Sequence, residues 1–388
     1  MKLNSYSEIY LTIKGIGNIQ ILNNKTVNLY DTISEESKDF TFESKPSELF
    51  VNGEKVKEDF YVYNLEEEEN YVTIKFKENL INCNVMFYGL SNILKIKFNH
   101  FDSSIKNMEY MFCDCDDLIS LDLSNFDSSS VTNMYRMLSG CYNLISVDLT
   151  GFITSSVVYM NNMFCSCSKL VYLDVSSFDT TSVINMVSMF QGCSSLISLN
   201  LSNFRTPLVT KMSQMFQSCS NLISLDISNF DTSNIASMMS MFERCSKLIS
   251  LDFRNFNTLN TGSMTSMFNY CSDDLKYCIN SNNEKTINLL NNIKSNSNYN
   301  FKNNNLCEDT CFIENKKLIF DLRICTLSCT EQYKYDYQNI CYSTCPEGTH
   351  NTSDNICIID NYEDINTINT IFQIITTIIK HTSHTPCI

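Results

Sequence analysis

Seven cysteines, Cys115, Cys141, Cys167, Cys193, Cys219, Cys245 and Cys271, follow one another at a constant interval of 26 residues. Each lies four residues after the methionine of a pair: Met111-Phe112, Met137-Leu138, Met163-Phe164, Met189-Phe190, Met215-Phe216, Met241-Phe242 and Met267-Phe268. A register held this long restricts the chain to stacked repeats that share core with their neighbours. Read from Val183, one unit is V-x-x-M-x-x-M-F-x-x-C-x-x-L-x-x-L-x-L-x-x-F. Val183, Met186, Met189, Phe190 and Cys193 are spaced to share one face of a short helix. Leu196, Leu199, Leu201 and Phe204 alternate as a short strand does. Burying about eight such side chains yields roughly 12–24 kcal/mol, whereas ordering the backbone costs about 1–2 kcal/mol per residue. One unit therefore cannot fold alone, and the array needs protected ends.

The strand halves LISLDLSNFDSSSV (118–131) and LISLDISNFDTSNI (222–235), with the N-M-x-x-M-F start, resemble the 26-residue repeats of BspA-like surface proteins. The resemblance covers roughly half the chain in eight copies, the first a degenerate one around Met86-Phe87. It implies an α/β repeat, a leucine-rich-repeat-like right-handed solenoid, placed outside the cell in a family associated with adhesion. The last copy departs from the pattern at Thr261-Gly262 and at Asp273-Asp274-Leu275, as an array decaying into a cap would.

Five segments are expected. Residues 1–83 alternate like strands, and Asn52-Gly53 is a type I′ hairpin signal, so this region reads as a β-rich N-terminal cap. Residues 84–278 are the repeats, and 279–306 an Asn-rich linker. In 307–358, Cys307, Cys311, Cys325, Cys329, Cys341, Cys345 and Cys357 form three C-x-x-x-C pairs plus one, similar to growth-factor-receptor-like cysteine-rich modules. Dense cysteine with little core points to a small disulfide-rich module, and the spacing is wider than a usual zinc pair. Residues 359–388 read as a tail, in which His381, His384 and Cys387 have ligand-like spacing without a fold to hold them. No metal or cofactor is expected. Sequons at Asn24-Lys25-Thr26 and Asn351-Thr352-Ser353 are compatible with an oxidising compartment. The repeat cysteines, by contrast, read as buried thiols, since free cysteine packs well as a small hydrophobe.

With 43 acidic and 28 basic residues the net charge is −15, which repels phosphate backbones and excludes nucleic acid as a partner. No nucleophile motif or Gly-rich phosphate loop occurs, so the chain is not expected to be an enzyme. No apolar leader follows Met1, and Ile371 to Ile379 is too short to span a bilayer. An extracellular or cell-surface position is expected nonetheless, with the chain as a fragment. Residues between the inward leucines should face outward on a concave sheet, in one column of Asp122, Asp148, Asp174, Asn200, Asp226 and Asp252. Tyr172 and Arg254 interrupt the hydroxyl-rich columns beside it and are candidate anchors. The expected partner is a protein or a glycan. An intracellular scaffold built on the same repeats is the alternative.

Overall fold

The structure is a computed structural model that describes residues 7–31, 36–57, 61–101, 104–253, 256–258, 260–272 and 275–279, together with short strands between 317 and 359. The chain divides into two units, Met1–Leu306 and Cys307–Ile388.

In the first unit, strands β1 (Ser7–Lys14), β2 (Gly17–Gln20), β3 (Val27–Asp31), β4 (Glu36–Phe40), β5 (Glu48–Val51), β6 (Glu54–Lys55), β7 (Val62–Leu65) and β8 (Glu69–Phe76) precede the repeats. The alternation of β1 places Ile9, Leu11 and Ile13 in the core, opposite Val72 and Ile74 of β8. The Asn52-Gly53 tip between β5 and β6 has φ of 49° and 87°, the two positive values a type I′ turn needs. β1 also pairs antiparallel with β9 (Ile93–Asn99), which belongs to the first repeat. β10 (Ser120–Asp122) and β11 (Ser146–Asp148) then continue the sheet in parallel, giving the order β11-β10-β9-β1-β8-β5-β6. A second sheet joins β12 (Ser224–Asp226), β13 (Ser250–Phe253) and β14 (Lys276–Ile279), all parallel.

The inward pattern recurs along the repeats, with Val147 half-buried where the others are buried. Val183, Met186, Met189, Phe190, Cys193, Leu196, Leu199, Leu201 and Phe204 are all buried, as are their counterparts one repeat away. The expected helix does not form. Among the described residues there is no helix, and the Met-Phe segment is a pair of consecutive turns. Met111 N–H bonds Met108 O at 3.2 Å, and Cys115 N–H bonds Phe112 O at 3.2 Å. The third residue of each turn, Tyr110 and Asp114, has φ of 55° and 59°, and the second residues do not share this left-handed geometry, which defines type II turns. A left-handed residue every four positions stops a right-handed helix from propagating. The same pair of positive φ values recurs at Asn162 and Ser166, at Ser188 and Gly192, and at Gln214 and Ser218.

The α/β leucine-rich-repeat-like solenoid expected above is therefore corrected: the described repeats are strands, bridges and turns. The larger sheet is mixed, and the strand wall is interrupted between β11 and β12. What joins the repeats without interruption is the turn side. There the bridges Asn107↔Asn133, Asn133↔Tyr159, Tyr159↔Asn185, Asn185↔Lys211, Lys211↔Ser237 and Ser237↔Ser263 run in parallel from unit to unit. Phe164, Phe190, Phe216 and Phe242 stack along this side with centroids 5.5 to 5.7 Å apart.

Two buried ladders add to it. Thr154 Oγ1 donates to Asp179 O at 2.9 Å and accepts Asp179 N–H at 2.8 Å, and Thr180 does the same with Arg205, at 2.6 and 2.8 Å. Each hydroxyl thus pins the backbone of the next repeat with two bonds. The ladder cysteines are free thiols, as expected. Cys141 Sγ donates to Phe112 O at 3.1 Å and Cys167 Sγ to Leu138 O at 3.2 Å, giving each a partner in the repeat before it. Burial pushes these thiols well above their ordinary pKa, so they stay neutral.

In the second unit, the strands β15 (Lys317–Ile319), β16 (Ile324–Thr326), β17 (Tyr335–Tyr337) and β18 (Ile340–Tyr342) form a sheet ordered β16-β15-β18-β17. β19 (Thr349–Asn351) pairs antiparallel with β20 (Cys357–Ile359). Cys325, Cys341 and Cys357 lie in β16, β18 and β20, while Cys307, Cys311, Cys329 and Cys345 lie outside the described residues, as does the tail.

Candidate functional site

The outward face of the strand side collects most of the expected site residues. Leu121 points into the core, so its neighbours Ser120 and Asp122 face the other way, and the parallel register sets Asp122 beside Asp148 and Ser120 beside Ser146. Asp226 is likewise beside Asp252, of which only the backbone pairing is described. Arg254 lies outside the described residues. Tyr172 is 55% exposed, and partial desolvation together with the Asp174 carboxylate pushes its phenol upward.

From Asp122 to Asp226 each acidic residue of the column has a local task. Asp122 Oδ1 accepts Ser124 N–H at 3.0 Å, Asp148 Oδ1 accepts Thr150 N–H at 3.0 Å, and Asp174 Oδ1 accepts Ser176 N–H at 2.9 Å. Asn200 and Asp226 do the same for Ser202 and Ser228 at 3.0 and 2.9 Å. This is an Asx turn that ends the strand segment. One carboxylate oxygen is thereby committed to the chain. At the first strand, Asp122 Oδ2 also meets Lys97 Nζ at 2.6 Å. Burial raises the Asp122 pKa, but the bonds from Lys97 and Ser124 outweigh it and hold the carboxyl below its usual range.

The column is not uniform along its backbone. β10 and β11 are paired, and so are β12 and β13, but 172–174 and 198–200 belong to no strand. No backbone hydrogen bond joins residues 171–175 to the repeats on either side, and pairing resumes where Ile223 N–H bonds Ile197 O at 3.1 Å. Tyr172, Asp174 and Asn200 therefore sit where the strand side is unzipped.

Sequence reasoning missed that the face continues past the repeats. Lys97 is beside Asp122 on one side and Tyr10 on the other, and Tyr10 is beside Thr73, so β9, β1 and β8 add a basic and aromatic margin. The signal was present: Leu94-Lys95-Ile96-Lys97-Phe98 alternates as Ile119-Ser120-Leu121-Asp122-Leu123 does. Also missed was a half-buried cluster on the turn side, where Arg136 lies 5.9 and 5.6 Å from the ring centroids of the buried Tyr110 and Tyr135. Nothing in the repeat spacing marks it. Among the described residues no group of His, Cys, Asp and Glu is arranged to hold a metal ion.

A repeat-containing, cysteine-rich protein with a polar strand face is the class these features define. A profile described as "Mycoplasma protein of unknown function, DUF285" matches residues 81–196, 165–282 and 192–305, together more than half of the chain. The chain belongs to the DUF285 family. No curated protein and no solved structure matches it.

Proposed function

We propose that this chain is a non-enzymatic binding protein of the cell surface or of the secreted space, engaging a protein or glycan through its exposed strand face. The observation that carries the reading is the column from Asp122 to Asp226, an ordered array of outward polar groups with exposed Tyr172 standing beside it. Asp148, Asp174 and Asp226 each keep one oxygen for their own turn and leave the remaining acceptor capacity for a partner, while Asp122 shares its second oxygen with Lys97. An aromatic side chain beside such acceptors is the common make-up of an interface anchor. Among the described residues no helix is long and apolar enough to cross a membrane.

The test is affinity screening of the full chain against glycan and matrix-protein arrays, repeated with Tyr172→Ala, Asp174→Ala and, on the turn side, Gln217→Ala. Loss of about fivefold or more in affinity for the first two alone is expected, since anchor truncations cost more than about 1 kcal/mol. Equal binding by all three removes the strand face from the reading. The ten free thiols of residues 83–271 favour a second reading, an intracellular scaffold. Counting free thiols after residue 300 in native protein separates the two, because a secreted chain should show few.

A further inference from the structure

The polar column contains one amide. Asp122, Asp148, Asp174 and Asp226 accept the N–H two residues on, and Asn200 takes the same place and makes the same bond, from Ser202 N–H to Oδ1 at 3.0 Å. Only the oxygen is needed for that turn, and an aspartate supplies it equally well elsewhere. The Nδ2 of Asn200 makes no hydrogen bond among the described residues, so the fold has no use for it. Asn200-Leu201-Ser202 is at the same time an N-x-S triplet with a residue other than proline in the middle. Leu201 is 2% exposed and anchors the triplet, while Asn200 and Ser202 are exposed. Residues 198–200 belong to no strand, and the carbonyl of Ser202 accepts Asn229 Nδ2 and Arg205 Nη1, both at 2.9 Å, so the backbone of the triplet is held while the Asn200 side chain faces out.

We propose that Asn200 is an N-glycosylation acceptor, carrying an oligosaccharide on the strand face. This rests on the surface or secreted reading above. The donor would be an oligosaccharide linked to a polyisoprenyl diphosphate. Asn200 Nδ2 bonds to the anomeric carbon as that carbon's bond to the diphosphate oxygen breaks; the amide proton goes to a base of the transferase and the lipid diphosphate leaves. A sugar here divides the face, so a protein ligand would be confined to the Asp122–Asp174 part or to the rungs beyond Asp226.

The test is glycopeptide mass spectrometry on the full chain purified from the cells that make it, before and after a peptide N-glycanase, the amidase that hydrolyses the amide of an occupied asparagine to leave aspartate. Asn24, in the exposed triplet Asn24-Lys25-Thr26, serves as an internal comparison. Conversion at Asn200, with loss of the corresponding gel shift in Asn200→Asp, is the expected result. The aspartate variant keeps the turn acceptor, so misfolding does not confuse the outcome. An unmodified Asn200 overturns the assignment, whether or not Asn24 is occupied. Protease shaving of intact cells tells the two failures apart: a chain cleaved at the surface yet bare at Asn200 leaves the binding reading standing, and a chain protected inside the cell removes both.

Discussion

The two sides of the repeat stack solve the same problem differently. On the turn side every repeat is bridged to the next from Asn107 to Ser263. On the strand side the pairing is complete at both ends and missing around Tyr172 and Ser198, although the leucines beneath stay buried. The difference teaches that the strands do not hold the register. Register is held by bonds that the side chains and turns make: the threonine hydroxyls, the thiols and the paired left-handed turns. A face relieved of that duty can vary its residues at little structural cost, as Tyr172 in a serine column shows.

The comparison breaks most completely if the buried ladder is charged. Cys115, Cys141, Cys167, Cys193, Cys219 and Cys245 have pKa values raised first of all by burial, and Cys271 is pushed up to about 12 for the same reason. Unfolded, they ionise near ~8.5. The thiols thus favour the fold fully below that pH, and the benefit drains away as pH rises past it toward the folded values. At up to about 1.4 kcal/mol per thiol per pH unit, the combined loss approaches the ~5–15 kcal/mol of a typical domain. Circular dichroism under reducing conditions should show cooperative unfolding between about pH 9 and 10, and a signal unchanged through pH 11 would remove the thiols from the account.

A smaller effect tests the turn side alone. Phe190, fully buried between Phe164 and Phe216 at 5.7 and 5.6 Å, should cost about 3–5 kcal/mol when changed to alanine. Asp174→Ala on the strand side loses one part-buried turn bond and should cost about 1 kcal/mol or less. Urea midpoints measure both, and equal costs would erase the proposed division of labour.

The smallest effect is local. Amide exchange should be fast at Leu173, Val175 and Leu199, which have no rung-to-rung bond, and slow at Phe164, Ser188 and Phe190, which do. A gap on the order of 10–100-fold is expected for this difference in local opening. Uniform protection would show that the strand side is zipped in solution.

The repeat length, the inward residues and the thiol state were legible because burial repeats with the register and a small sulfur side chain suits a core. The turn pair was not. Inward positions such as Met108, Met111, Phe112 and Cys115 fit one helix face, and they fit two successive four-residue turns equally well. Glycine at the left-handed positions would have separated the two, and it appears only at Gly89, Gly140 and Gly192. Gly140 shows why it matters there, since a Cβ would lie 2.2 Å from Asp114 Oδ1. Elsewhere Tyr110, Arg136, Gln214 and Arg244 hold that conformation, and none of these residue types announces it. For the site, the outward column followed from alternation. Its Asx-turn role was also readable, because a serine or threonine two residues after Asp or Asn is the pattern of such turns.

The turn side has an electrical consequence as well. In one repeat the amides of Met108, Tyr110, Phe112 and Asp114 all point toward the following unit, while that of Thr132, in the next, points back to Lys106. An ordinary sheet nearly cancels its peptide dipoles. Here the amides of alternate residues, those that bond from repeat to repeat, add unit upon unit, as they do along a helix axis. The file of turns therefore behaves as a polarised rod, negative toward the first repeat and positive toward the last.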